Sequence, residues 1–287
     1  MNVKIITDSA CDLSRDVIEK YDIEVMPLTV ILNEEEYYDN INMKPETLYK
    51  LMREGEAPKT AQVSPGKFKE IFTKYAKEKR DCIYIGFSSE LSGTFNASVM
   101  MKEEILEDYP DFNIEVYDSK AASLGFGLIV HKAAQMANNG KSMGEILKTV
   151  DHYSKHMEHI FTVDDLEYLY RGGRVSKTTA FVGGLLSIKP ILDVEDGKLI
   201  PIEKIRGKNK VIKRMIEIME ERGVNLENQL VGISHGDDLE SAMKYKELME
   251  SKLGVKDFII TTVGCAVGSH SGPGTIAIFF LNEEEKY

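Results

Sequence analysis

A short apolar run that passes through four hydroxyls and a glycine into a helical period occupies residues 82–99, CIYIGFSSELSGTFNASV. Cys82 to Phe87 has the length and the β-branched and aromatic content of a buried strand. From Gly93 onward Phe95, Val99 and Met100 recur at helical spacing, which predicts a helix start there. Between them lies Ser88-Ser89-Glu90-Leu91-Ser92-Gly93-Thr94. A strand that delivers such a turn to a helix N-terminus brings free backbone N–H groups and the positive end of a helix dipole to one point. That arrangement holds anions. A cap on the helix would use Ser92 or Thr94 alone. Four hydroxyls exceed what a cap needs, so an anion site is expected here.

The same strand–turn–helix unit repeats through the first half. Val3–Thr7 is an apolar strand that ends in Thr7-Asp8-Ser9-Ala10-Cys11-Asp12, and Asp12 or Ser14 can cap the helix carrying Val17, Ile18 and Tyr21. Val25–Leu32 reads as a second apolar strand, and Pro45 opens a helix. Residues 58–66 read as a polar loop ending where Pro65 starts the helix of Phe68, Ile71 and Phe72. Asn113–Val116 is a strand closing on Asp118-Ser119-Lys120, and helices follow from Ser123 to Asn138 and from Ser142. Such alternation predicts a mostly parallel sheet covered by helices, with ligands beyond the carboxyl ends of its strands. Thr7–Ser9, Ser88–Thr94 and Asp118–Ser119 all fall at those ends. Three hydroxyl-bearing turns on one sheet edge suggest a shared site, although turn chemistry alone also favours Ser and Asp there.

The second half has another pattern. Ile160–Val163 is extended, Leu166–Tyr170 is a short helix before Arg171-Gly172-Gly173-Arg174, and Ser187–Val194 and Leu199–Ile205 form a hairpin through Asp196-Gly197. Lys208–Glu221 is helical, and Leu230–Ser234, a helix from Leu239 to Leu253, Phe258–Val263 and Thr275–Leu281 complete the chain. Hairpins mixed with helices predict an α+β unit with a mixed sheet. The expected architecture is α/β, with an N-terminal domain over 1–160 and a C-terminal α+β domain over 161–287.

Charge and motif content exclude several functions. With 36 basic and 47 acidic residues the net charge is −11, and without a basic run the chain suits neither nucleic acid nor an anionic membrane surface. Met1 runs straight into a strand, so no signal peptide is expected, and the longest apolar stretch, Ala180 to Ile188, is too short to span a bilayer. Cys11, Cys82 and Cys265 are far apart with no paired spacing, which points to the cytoplasm. There is neither a Walker-type phosphate loop nor a Gly-x-Ser-x-Gly elbow. His152, His156 and His159 have nominal metal spacing on a helix, but no carboxylate stands among them in a HExxH pattern and Lys155 and Glu158 are interspersed, so they read better as a solvated helix end, and no metal is expected. His235 is ambiguous between turn chemistry and a site. His270, in the glycine-rich stretch 263–274 read here as a turn between strands, is a candidate ligand contact. Arg171 and Arg174 flank a double glycine, and with Arg206 they are candidate anion or partner contacts.

Taken together, residues 7–13, 60–65, 88–94, 118–119, 166–174 and 270–274 resemble the DegV family of bacterial fatty-acid-binding proteins, in the family's order and over nearly the whole chain. The resemblance implies two α/β domains with an acyl chain buried between or beneath them. It further implies a role like that of the carrier subunit of bacterial fatty acid kinase, in phospholipid synthesis, presenting the acyl carboxylate to a separate kinase subunit with transient membrane contact. The residues it assigns to the carboxylate are Thr60, Ser92 and His270. Ser64, Ser89, Gly93, Thr94 and Arg174 are supporting candidates, and Arg206 is a candidate docking residue. Ala61 departs from the family, which has serine there, so a second hydroxyl from that loop is lost or must come from Ser64.

Elementary energetics agree with such a ligand. At ~0.8 kcal/mol per buried methylene a long tail contributes on the order of 10 kcal/mol, against roughly 1.5–3 kcal/mol for a hydrogen bond to a charged group. The tail sets affinity and the hydroxyls set orientation. No cofactor is then needed and no catalysis is expected. The rival reading is a small-molecule hydrolase or phosphotransfer enzyme using Ser92 or His270.

Overall fold

The computed structural model describes residues 2–176 and 188–285. The apolar stretch 180–188, read above as too short to span a bilayer, lies outside the described residues save for Ile188, as does Ser187.

Four parallel strands form the first sheet, β1 (Lys4–Asp8), β2 (Glu24–Met26), β6 (Cys82–Gly86) and β7 (Ile114–Asp118), in the order β2-β1-β6-β7. β1 and β6 are buried along their whole length, as strands covered on both faces must be. One cover is α3 (Pro65–Lys77), whose Phe68 ring meets Tyr84 of β6 edge-on at 5.2 Å. Burying each such ring stabilises by roughly 1.5–3 kcal/mol. The other is α5 (Ser123–Asn138), buried on nearly every side. α1 (Arg15–Lys20), α2 (Pro45–Arg53), α4 (Thr94–Asp108) and α6 (Met143–His156) are the remaining helices of this half. Ser142 caps α6 in a capping box with Glu145.

The run 25–32 is not one strand. It breaks at Pro27-Leu28 into β2 and β3 (Thr29–Leu32), which belong to different sheets. Proline has no N–H to keep a ladder going. β3 pairs antiparallel with β4 (Glu35–Tyr38) and with β5 (Lys59–Ala61), so the expected polar loop 58–66 holds an edge strand.

The six-stranded sheet begins at Met157. β8 (Met157–Thr162), β9 (Ile188–Glu195), β10 (Lys198–Arg206), β11 (Leu230–His235), β12 (Asp257–Thr262) and β13 (Ile276–Leu281) are ordered β10-β9-β8-β13-β11-β12. All neighbours are antiparallel except β11 and β12. The hairpin turn at Asp196-Gly197 has positive φ at both residues, as its sequence predicts. α7 (Glu167–Arg171) precedes this hairpin, and α8 (Lys208–Arg222) and α9 (Leu239–Leu253) cover the outer face. The stretch 263–274, expected to be a turn, instead folds as α10 (Cys265–Ser271).

α5 lies between the two large sheets. Cβ groups at Gly127 and Gly125 would strike the Cys11 carbonyl on one side and His159 with Phe279 on the other. One apolar core runs through the contact, joining Phe87 and Phe126 to Phe161, Leu192 and Phe279.

Candidate functional site

An internal cavity of about 280 Å³ lies where the carboxyl end of the parallel sheet, the inner face of the six-stranded sheet and the N-termini of α5 and α10 meet. Most of its wall is apolar, including Leu28, Phe87, Leu91, Phe161, Val267 and Phe279. One cluster of polar groups stands on this wall, apart from the further polar residues Ser123, His159 and Ser234 that also line it. In that cluster Thr60 of β5, Ser92 and Gly93 of the turn before α4, Arg174 after α7 and His270 of α10 face one space.

Thr60 Oγ1 and His270 Nε2 are 2.6 Å apart, joining residues 210 positions distant in the chain. Burial and, next, the Arg174 charge push the His270 imidazolium down to about 4, so the ring is neutral near pH 7. Gly172 has no Cβ, and one would run into the His270 ring. The double glycine is therefore a close approach, with Gly173 at positive φ beside it. Arg174 donates from Nε and Nη2 to the Leu91 carbonyl at 3.1 and 2.9 Å and from Nη1 to the Gly172 carbonyl. It ties the turn of α4 to the segment after α7. Thr60, Arg174 and His270 also line an outer hollow of about 260 Å³ with Lys59, Arg171 and Ser269. The Arg171 guanidinium lies 4.9 Å from the Tyr168 ring centroid, a cation–π distance.

The hydroxyls of the 88–94 turn go separate ways. Ser88 donates to the Gly197 carbonyl at 2.8 Å, fastening the turn to the β9–β10 hairpin. Ser89 accepts from Lys120 Nζ at 2.7 Å. Ser92 and Thr94 hydroxyls are 2.9 Å apart, and buried Thr94 accepts the Val63 N–H at 3.3 Å. Only Ser92 and Gly93 of the site candidates in this turn line the cavity; Ser89 and Thr94 do not. Ser64 is exposed and caps α3 through the Lys67 N–H, so the hydroxyl absent at Ala61 is not supplied from there. Arg206 ends β10 in an exposed position away from the cavity lining.

Thr7, Ser9, Asp118 and Ser119 are scaffold contacts instead of a shared ligand site. Thr7 donates to the Ile85 carbonyl, Ser119 to the Gly86 carbonyl and Ser9 to Asp39, while Asp118 accepts the Ser89 and Lys120 N–H groups. The three histidines are also divided. His152 and His156 stack on α6 at 4.7 Å, while His159 lies on β8 and is buried. Among the described residues no His, Cys, Asp and Glu group can hold a metal, and no helix is long and apolar enough to cross a membrane. His235 is buried at the end of β11.

Several residues that the sequence did not mark as site residues shape the site. Asp12 accepts the Gly264 N–H at 2.8 Å and the Ser123 hydroxyl at 2.5 Å, and Asp39 accepts the Cys265 N–H at 2.7 Å. Two carboxyl groups from the first half thus hold the N-terminus of the helix that carries His270. Burial pushes Asp12 up to about 8 and Asp39 to about 6. Gln62, Ser123, His159 and Ser234 line the cavity. Alternation along β8, β11 and β13 is the only sequence signal for the strand members, and it cannot say which face meets a cavity.

A family model described as an uncharacterised protein of the DegV family matches residues 2–283. A DegV domain-containing protein of Clostridium perfringens is 43% identical over 285 residues, covering 98% of each chain. A stearic-acid-binding protein of Eubacterium ventriosum superposes with a TM-score of 0.90 at 28% identity, over 98% of both chains. A DegV lipid-binding protein of Thermotoga maritima gives 0.85 at 34% identity, over 99% of this chain and 100% of that one.

Proposed function

This chain belongs to the DegV family, and on that premise we propose that it binds one long-chain fatty acid in the internal cavity and presents its carboxylate at Thr60, Ser92 and His270 to a separate kinase. The observation that carries the reading is the division of the cavity wall between the cluster of Thr60, Ser92, Arg174 and His270 and a lining that is otherwise mostly apolar. A molecule with one anionic end and a long apolar tail matches that division. A neutral His270 and two hydroxyls suit a carboxylate that must stay reactive, because they hold it by hydrogen bonds while the Arg174 guanidinium beside them donates to the Leu91 and Gly172 carbonyls.

The outer hollow supports the second half of the proposal. It meets the head end of the cavity across Thr60 and His270 and carries Lys59 and Arg171. A phosphoryl donor brought there by a kinase would find cations beside the carboxylate it must reach. Arg206 is proposed as a docking residue at the exposed end of β10. The hydrolase reading finds less support: the Ser92 hydroxyl bonds to Thr94 and His270 bonds to Thr60, so among the described residues His270 is not placed as a base on the serine.

The test is mass spectrometry of lipid released by denaturing the freshly purified protein, followed by rebinding after delipidation. Stoichiometric long-chain acid, or tight rebinding, is expected. Apo protein with no affinity for added acid overturns the proposal.

A further inference from the structure

The internal cavity and a solvent-facing groove of about 610 Å³ share two lining residues, His159 and Val194. The groove side of this wall is polar, with Lys120, Glu158, Asp193 and Arg222. The cavity side is apolar, with Phe161 and Phe279.

Strand register locates this wall. His159 stands opposite Phe279 across β8 and β13, and Phe161 opposite Ala277. Thr275, two residues before Ala277, donates to the Ser271 and Gly272 carbonyls beside His270. From Thr275 to Phe279 the strand advances about 14 Å. His159 therefore stands along the cavity wall about one strand length, four residues, from the end that carries His270 and its partner Thr60.

The ring is held in place. Its Nε2 accepts the Ala122 N–H at 3.2 Å, so Nδ1 carries the proton and donates to the Met157 carbonyl at 2.9 Å. It meets Phe279 edge-on at 5.4 Å. Behind it α5 approaches so closely that a Cβ at Gly125 would lie 2.5 Å from Nε2. Burial keeps the imidazole neutral, with its pKa pushed down to about 4. A neutral ring with both nitrogens satisfied can face hydrocarbon without leaving a polar group unpaired.

We propose that His159, backed by Val194, sets the longest acyl chain this protein accepts, by closing the cavity there against the outer groove. This rests on the fatty-acid reading above. The experiment is displacement of cis-parinaric acid from the full chain by straight saturated acids of increasing length. In the wild type, affinity should rise about fourfold per added methylene until it breaks at a limiting length. His159→Ala and Val194→Ala should move that break to longer chains, so that an acid two methylenes past the wild-type limit binds the variants at least about tenfold tighter than the wild type. His159→Leu, which keeps bulk and loses both hydrogen bonds, should keep the wild-type limit. An unchanged break in both alanine variants, or a His159→Leu break as long as that of His159→Ala, overturns the proposal. A wild type that binds no acid of any length instead overturns the fatty-acid reading beneath it.

Discussion

At the scale of single residues, the candidate site separates groups that face the cavity from groups that build it. Ser92 lines the cavity and Ser89 is spent on Lys120. Ser92→Ala should therefore weaken retention of a bound acid more than Ser89→Ala, and Thr60→Ala with Ser92→Ala should cost more again, by about 3 kcal/mol at most because the tail stays buried. Isothermal titration of delipidated variants measures this, and equal retention in the double variant would remove the hydroxyls from the head-group site. Asp12 belongs to the building groups. Its carboxyl is raised to about 8 when folded, so between its unfolded value and 8 the folded protein holds the extra proton and stability falls as pH rises. His159 and His270 have depressed values and act with the opposite sign, but only below about pH 6.5. Between about pH 6.5 and 8 the Asp12 effect is therefore unopposed by them. Asp12→Asn should remove this decline, and urea midpoints at the two ends of that range measure it.

At the scale of elements, α10 decides the geometry. Seven residues long, it carries Ala266, Val267 and His270 into the cavity wall, and its N-terminus is held by Asp12 and Asp39. Gly268 in its middle packs on Tyr49, where a Cβ would lie 2.5 Å from the phenol oxygen that donates to the Val263 carbonyl. Gly268→Ala should cost about 1–3 kcal/mol through overpacking and also lower retention of the acid by displacing His270. A variant with a normal denaturation midpoint and normal retention would show that α10 tolerates displacement. Ser142→Ala offers the contrast, since losing the cap of α6 should cost about 1 kcal/mol and leave the cavity unaltered.

At the scale of the whole molecule, the cavity is formed by both halves, so a ligand in it bridges the two large sheets. Filling it should stabilise the folded state by mass action, about 2.7 kcal/mol when the free acid exceeds its dissociation constant a hundredfold. For a chain of this size that amounts to roughly 5 °C in melting temperature, lost on delipidation and regained on adding acid. Calorimetry that finds no such dependence would argue against ligand in the cavity. Arg206 belongs to this scale too, as a surface residue whose proposed partner is another protein. Arg206→Ala should leave bound lipid intact and reduce acyl-phosphate formation with a candidate kinase. Unchanged phosphorylation would take Arg206 out of the proposal.

The order and kind of most elements were legible in the sequence because strand and helix periods are local. β6, α5, α9 and the Asp196-Gly197 hairpin follow from residues within one window, and so does the α/β class. The motifs that bring Thr60, Ser92 and His270 under suspicion are local too. Local pattern could not show that Pro27 divides one apolar run between two sheets, or that residues 59–61 become an edge strand because β3 offers them a ladder. Nor could it show that His270 and Gly268 belong to a helix, since that helix is held from a distance by Asp12 and Asp39. Of four neighbouring hydroxyls, tertiary structure left one facing the cavity, because Ser88, Ser89 and Thr94 found partners elsewhere in the fold. Hydrogen-bond satisfaction in a buried site is settled by groups that the chain brings together from far apart, and no window of sequence contains both members of such a pair.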